Sequence, residues 1–233
     1  MKKAAVKANV RSSFSPHRYP RVQEIVDPGS DDLQLLSDKV GEKILTEIIR
    51  GKIPAGSELS STLLAEQFGV SRTPLARALS QLIADGILIQ RTKQPAIVNP
   101  AAADWMTQTR SLRRLLEPEA AFLSCGNIPE DVFDDLWTLS HEAAPLPDRN
   151  WIPAAAFFDA ALHLSIAEFC QNLPFKVAIR KCWSYKKLAY ELSDKSSVRF
   201  GQEYVEHLEI LQALAEEDAK SARKLMEEHL RTT

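Results

Sequence analysis

Apolar positions along the chain fall into two regimes. Leu36, Val40, Ile44, Leu45, Ile48 and Ile49 recur at the three-to-four spacing of a helix with one buried face. Gly51 follows where a C-terminal cap would stop that helix. Ile53 to Gly56 reads as a turn, and "LSSTLLAEQFG" as a short helix ended by Gly69. Ser71 can cap the next helix, and Pro74 falls in its first turn, where the missing N–H is tolerated. Leu75, Ala78, Leu79 and Leu82 form its apolar face, and it ends near Asp85-Gly86. "GILIQR" and "PAIVNP", two short β-branched runs joined by "TKQ", predict a small hairpin. The order over residues 31–100 is helix, helix, turn, helix, two-stranded wing. The turn "FGVS" has the length of a helix-turn-helix connection.

From Ala103 onward the pattern is helical throughout. Helices are predicted near 103–125, 130–142, 152–171, 174–192, 200–216 and 218–231. The breaks are Cys125-Gly126-Asn127, the Pro145/Pro147 loop, Asn172-Leu173-Pro174 and Ser193 to Ser197. "VNPAAAD" is the expected hinge. The fold class is therefore mainly α. An N-terminal winged helix-turn-helix precedes a C-terminal antiparallel all-helical bundle of six or seven helices, residues 101–233, long enough for its own core. Residues 1–30 carry no such pattern and read as a flexible basic tail. Lys2, Lys3, Lys7, Arg11, Arg18 and Arg21 come before the first acid, Glu24. Such a tail is either a solvated leader or a basic arm that touches phosphate.

Composition narrows the classes. A hydrophobic content of 45% and a charged content of 26% in 233 residues suit a packed core and exclude global disorder. The net charge of −2 means that any nucleic-acid surface must be local. Cys125, Cys170 and Cys182 form no CxxC pair, which points to reduced thiols and a cytoplasmic protein. The start lacks an apolar core of signal-peptide length, and no membrane partner is expected.

Helices that enter the major groove use their N-terminal residues to reach base edges and phosphates. Here those residues are Ser71, Arg72 and Thr73, with Arg77 one turn later. Arg91 and Lys93 lie near the wing tip. An ordinary surface helix could show the same charges; the complete set of parts in order is more specific. Residues 33–99 resemble the winged helix-turn-helix of the GntR family of bacterial transcription regulators. "IIRGKIPAG", "LAEQFGVSRTPL" and the "DGIL" turn carry the resemblance. It implies operator DNA as partner and Arg72 and Thr73 as contacts. The chain departs from the family at three places. Thr62 and Ala76 stand where arginines are usual, with Arg77 in place of a glutamate, and the wing turn "TKQP" has no glycine.

The bundle holds the candidate chemistry. "FFDAALHLSIAEF" places Asp159 and His163 four apart, on one helix face. That pair alone is an ion pair or a metal half-site. His207 lies 11 residues before Asp218 and His229 lies 11 after it. Equal arms of a helical hairpin bring them face to face, about 16 Å from the turn at 1.5 Å per residue. One carboxylate and three imidazoles suit zinc first and nickel second. "LRRLLEPEAA", "FFDAALHLSIAEFCQN" and the last two helices resemble the FCD effector domain of the FadR-like branch of GntR regulators. Six rather than seven helices would resemble its VanR-like subgroup. The resemblance implies that Asp159, His163, His207 and His229 are metal ligands. It also implies that Arg113 faces an effector cavity; the competing reading of Arg113 is a helical pair with Glu117.

Together these features predict a homodimeric DNA-binding regulator, with repression the commoner mode that the resemblance implies. A small carboxylate effector, bound at the metal-containing domain, would modulate operator binding. The alternatives are a metal-dependent enzyme built on the bundle, or a regulator whose metal is purely structural.

Overall fold

The computed structural model describes residues 14–29, 32–147, 150–185 and 197–232. After a short 3-10 turn at Pro16–Arg18 comes α1 (Pro20–Val26). The winged unit follows: α2 (Asp32–Ile49), α3 (Ser61–Phe68), α4 (Arg72–Ala84), β1 (Leu88–Arg91) and β2 (Gln94–Val98). The bundle contains α5 (Trp105–Ser124), α6 (Glu130–Ala143), α7 (Ile152–Phe169) and α8 (Leu173–Ser184). It closes with α9 (Ser197–Ala215) and α10 (Ala219–Thr232). Residues 186–192 of the predicted fourth bundle helix, and most of the predicted break after it, lie outside the described residues.

Local chemistry explains the winged unit. Ser60 caps α3 by accepting from the Leu63 N–H. Gly69 ends α3 with φ +64, a left-handed conformation that glycine adopts without Cβ strain. β1 and β2 are antiparallel, with Leu88 opposite Val98. A second pairing went unread in the sequence. The 56–59 segment runs along β2, bonded as Leu59 N–H to Ala96 O (2.9 Å), Gly56 N–H to Val98 O (2.9 Å) and Val98 N–H to Ser57 O (3.0 Å). Lys93, in the glycine-free wing turn, takes φ +57.

The expected hinge is firmly tied. Asn99 accepts from the Ala101 N–H and donates to Gly86 O at 2.8 Å, which locks the 3-10 turn Pro100–Asp104 to the winged unit.

The reading of residues 1–30 as a flexible tail fails for residues 14–29. Tyr19 and Val22 are buried in the bundle core, with Phe14, Ile25 and Val26 packed beside them. Asp135 of α6 accepts from the Arg21 and Val22 N–H groups, capping α1. Arg18 pairs with Glu142 and Arg21 with Asp131, while Arg180 donates to Ile25 O. Besides the nearby Glu24, the acids that pair with this basic stretch lie more than 100 residues away, so its own sequence gave no sign of them. Gln171 takes the left-handed conformation (φ +54), and Asn172 caps α8 through the Phe175 N–H.

α7 is the central helix. Its length and mean hydropathy of 1.3 match a membrane span, yet most of it is buried inside the bundle. α10 packs along α5, where Arg114 donates to the Leu230 and Arg231 carbonyls and covers the end of α10. Replacing Asp135 with Ala is expected to cost about 1 kcal/mol through the lost cap. Tryptic cleavage at Arg18 and Arg21 should then be faster than in the wild type; an unchanged cleavage rate would contradict the docked α1.

Candidate metal centre and nucleic-acid interface

Four polar side chains converge where α7, α9 and α10 meet. Asp159, His163, His207 and His229 are all buried, and one donor atom from each lies within 4.8 Å of the others. His207 Nε2 is 3.3 Å from His163 Nε2 and 3.2 Å from His229 Nε2. Asp159 Oδ1 is 3.5 Å from His163 Nε2 and 3.4 Å from His207 Nε2. The hairpin geometry read from the sequence is thus seen directly. Glu217 makes the turn with φ +56, and the two equal arms present their histidines to each other.

The outer ring nitrogens are held as well. His163 Nδ1 is 2.5 Å from Glu117 Oε2, and His229 Nδ1 is 2.7 Å from Glu206 Oε2. A carboxylate on Nδ1 fixes the proton there and leaves Nε2 as a lone pair. The Nε2 lone pairs of His163 and His229 therefore both face His207 Nε2, and a single N–H there could serve only one of them at a time. A cation between them resolves the conflict. Four of the six donor separations lie close to the 3.3–3.4 Å tetrahedral edge that zinc–nitrogen bonds of about 2.0–2.1 Å require, and all four donors lie within 4.8 Å of one another. The donor set fits the group.

Glu117 is the hub of the second layer, and the sequence reading missed it in that role. Its carboxylate accepts from Arg113 Nε (2.5 Å) and Nη2 (3.2 Å), from Trp183 Nε1 (2.9 Å), and faces His163. Burial alone would raise its pKa, but Arg113 and His163 outweigh that and hold the carboxyl well below its usual range. Arg113 is buried, with its fork on Glu117 and its face 4.5 Å from the Trp183 ring centre. The helical pair with Glu117 is therefore present, and Arg113 acts on the cluster through that carboxylate. Glu206 was also missed. It sits one residue before His207, but its side chain reaches the ring of His229 across the hairpin. Cys170 is a buried thiol bonded to Ala167 O.

At the other end of the chain, Thr62, Ser71, Arg72, Thr73, Ala76 and Arg77 are exposed. Ser71 occupies the N-cap position of α4, but its side chain makes no capping bond, contrary to the expected cap. Lys93 is exposed at the wing turn. Arg91 does not extend from the wing: it pairs with Glu58 at 2.5 Å and donates to Pro95 O. Among the predicted wing cations, Lys93 is the one in the turn itself.

With both sites described, the chain can be compared with known proteins. The model "Bacterial regulatory proteins, gntR family" matches residues 36–98, and "FCD domain" matches residues 108–232. The chain belongs to the GntR family and carries an FCD domain. Relatives include the "Putative L-lactate dehydrogenase operon regulatory protein" of Escherichia coli. It is 26% identical over 223 residues, spanning 84% of this chain and 83% of that one. The Escherichia coli "HTH-type transcriptional regulator YieP" is 27% identical over 221 residues, spanning 84% and 93%. Two solved structures share the fold. One is Escherichia coli McbR/YncC, with a TM-score of 0.57 at 21% identity, covering 84% of this chain and 94% of that chain. The other is Lar, which controls the Listeria monocytogenes agr system, with a TM-score of 0.56 at 23% identity, covering 84% and 93%. The matched domains and these relatives are those of GntR-type transcription regulators, not of enzymes.

The cluster also predicts an acid response. Burial pushes the His163 pKa down from 6.5 to about 4, against the opposing pull of Glu117. Between those values the unfolded chain binds the extra proton, so stability falls as pH drops through that window. Glu117, held low, acts in the same direction below its ordinary range. Chelator-treated protein should therefore lose on the order of 2 kcal/mol for His163 between pH 7 and pH 5. Urea unfolding at the two values checks this; equal stabilities would contradict the buried neutral ring.

Proposed function

We propose that this GntR-family regulator binds a divalent transition metal through Asp159, His163, His207 and His229 and uses it to sense a small carboxylate. The supporting observation is the convergence of imidazole Nε2 atoms on one buried carboxylate oxygen, with outer nitrogens held by Glu117 and Glu206. Zinc suits this donor set first and nickel second. A bound metal would supply a positive charge and an open coordination position. The chain's own residues do the rest: Glu117 and Glu206 fix the ring tautomers, and Arg113 and Trp183 hold Glu117. The name of the Escherichia coli relative, drawn from an L-lactate dehydrogenase operon, favours a hydroxy-carboxylate as the first ligand to test.

The DNA end works by positioning. Arg72, Thr73 and Arg77 on α4, Ser71 at its start, and Lys93 on the wing contact operator DNA, with Thr62 nearby on α3. One short helix reads too few bases for a unique site, so a cytoplasmic homodimer with two-fold half-sites is the working assembly. The effector must bind one spacing of the two α4 helices better than another; that difference is the only free energy available for regulation.

Native mass spectrometry tests the metal. Protein supplied with zinc should carry one ion per chain, and His207→Ala should carry none while keeping its dimer mass. Adding L-lactate should retain a further small-molecule mass on the zinc-loaded form alone. A wild-type chain that stays metal-free with zinc present would overturn the reading.

A further inference from the structure

The turn that ends α8 touches both functional ends of the molecule. Trp183 faces the His cluster: its indole N–H donates to Glu117, and its ring centre is 4.9 Å from that of His163. Two residues either side, Lys181 and Tyr185 reach the winged unit. The Tyr185 hydroxyl donates to Asp85 Oδ2, and Lys181 Nζ pairs with Asp85 Oδ1. Asp85 is the C-cap of α4, the helix assigned to DNA reading. The Tyr185 ring is buried in the core of the winged unit and meets Trp105 edge-on at 5.9 Å. One short stretch of chain therefore joins the carboxylate behind the metal ligands to the end of α4.

This clasp sets where α4 points. Arg72, Thr73, Ala76 and Arg77 line a cleft of about 1500 Å³ whose far wall is α7, through Ala156 and Phe157. Small-molecule sites are about 300–1,000 Å³, so the cleft is larger than a typical ligand pocket. A duplex read by these four residues would have to enter that same cleft, beside Ala156 and Phe157. The described arrangement is thus one in which α4 faces its own effector domain.

We infer that Asp85, Lys181 and Tyr185 form an autoinhibitory latch, which holds the DNA-reading face of α4 toward the effector domain and is linked to the His cluster through Trp183 and Glu117. This rests on the proposed DNA-reading role of α4 and on the proposed metal site. A change at the cluster that moves Glu117 moves Trp183, and the same helical turn carries the two latch residues. Asp85 cannot follow freely, because Gln81 also bonds it within α4 at 2.9 Å. A shift of α8 is therefore transmitted to α4 as a whole or breaks the latch.

The test uses the full-length protein and duplexes that the wild type enriches from a random library. Affinity is read by fluorescence anisotropy, with chelator and with zinc. Lys181→Met with Tyr185→Phe keeps the buried ring and removes both polar contacts. This variant should bind the enriched duplex about tenfold more tightly than metal-free wild type, within the usual range of coupling between sites. Its zinc content should be unchanged. Asp85→Asn should act in the same direction and serves if the double variant is unstable. Trp183→Phe removes the indole donor to Glu117 and should shrink the zinc-dependent change in duplex affinity to less than twofold. Natively folded latch variants that bind no more tightly than wild type overturn the latch while leaving the proposed function standing. A wild-type affinity that zinc leaves unchanged overturns its link to the cluster. Failure to enrich any duplex overturns the DNA-reading role of α4, and the latch with it.

Discussion

Three histidine Nε2 atoms held at contact distance inside a buried helical core are the constraint on which the rest of this structure depends. His163, His207 and His229 bring their Nε2 atoms to contact distance beside the carboxylate of Asp159. Neutral rings in that arrangement cannot satisfy every Nε2 lone pair with one N–H, and charged rings would be desolvated together. The surrounding architecture holds the arrangement in place. α5 supplies Glu117, α9 supplies Glu206, and Arg114 secures the end of the helix that bears His229. A cluster so braced is organised to receive a cation, and its second layer extends outward through Trp183 toward the winged unit.

Much of this arrangement was legible in the sequence because it rests on local periodicity. The Asp159–His163 pair needs only the four-residue helical repeat. The His207–His229 meeting needs only a tight turn with equal arms. The order of helices, turn and hairpin between Leu36 and Val98 follows from apolar spacing and from Gly69. The GntR and FCD resemblances read from these segments agree with the family models that match them.

The features that escaped share a physical cause: each depends on contacts between residues distant in sequence. Residues 14–29 looked like a charged tail because their acidic partners, Asp131, Asp135 and Glu142, lie on α6. Arg91 looked like a free wing cation because its partner Glu58 lies 33 residues earlier, between the Ile53–Gly56 turn and α3. Glu117 looked like half of a surface helical pair, since the sequence does not show that His163 and Trp183 close over it. In a dry site, removing one member of such a pair costs about 3–5 kcal/mol, far more than a surface pair contributes. Burial turned an ordinary helical spacing into the hub of the site.

The central claim is that the cluster is a metal centre built from three imidazoles and one carboxylate. X-ray absorption spectroscopy of the zinc-loaded protein examines the coordination shell itself. The account predicts nitrogen and oxygen neighbours at about 2.0–2.1 Å, with the outer-shell scattering of three imidazole rings, reduced by one ring in His229→Gln. A shell of light atoms without imidazole scattering, or one that His229→Gln leaves unaltered, would contradict it.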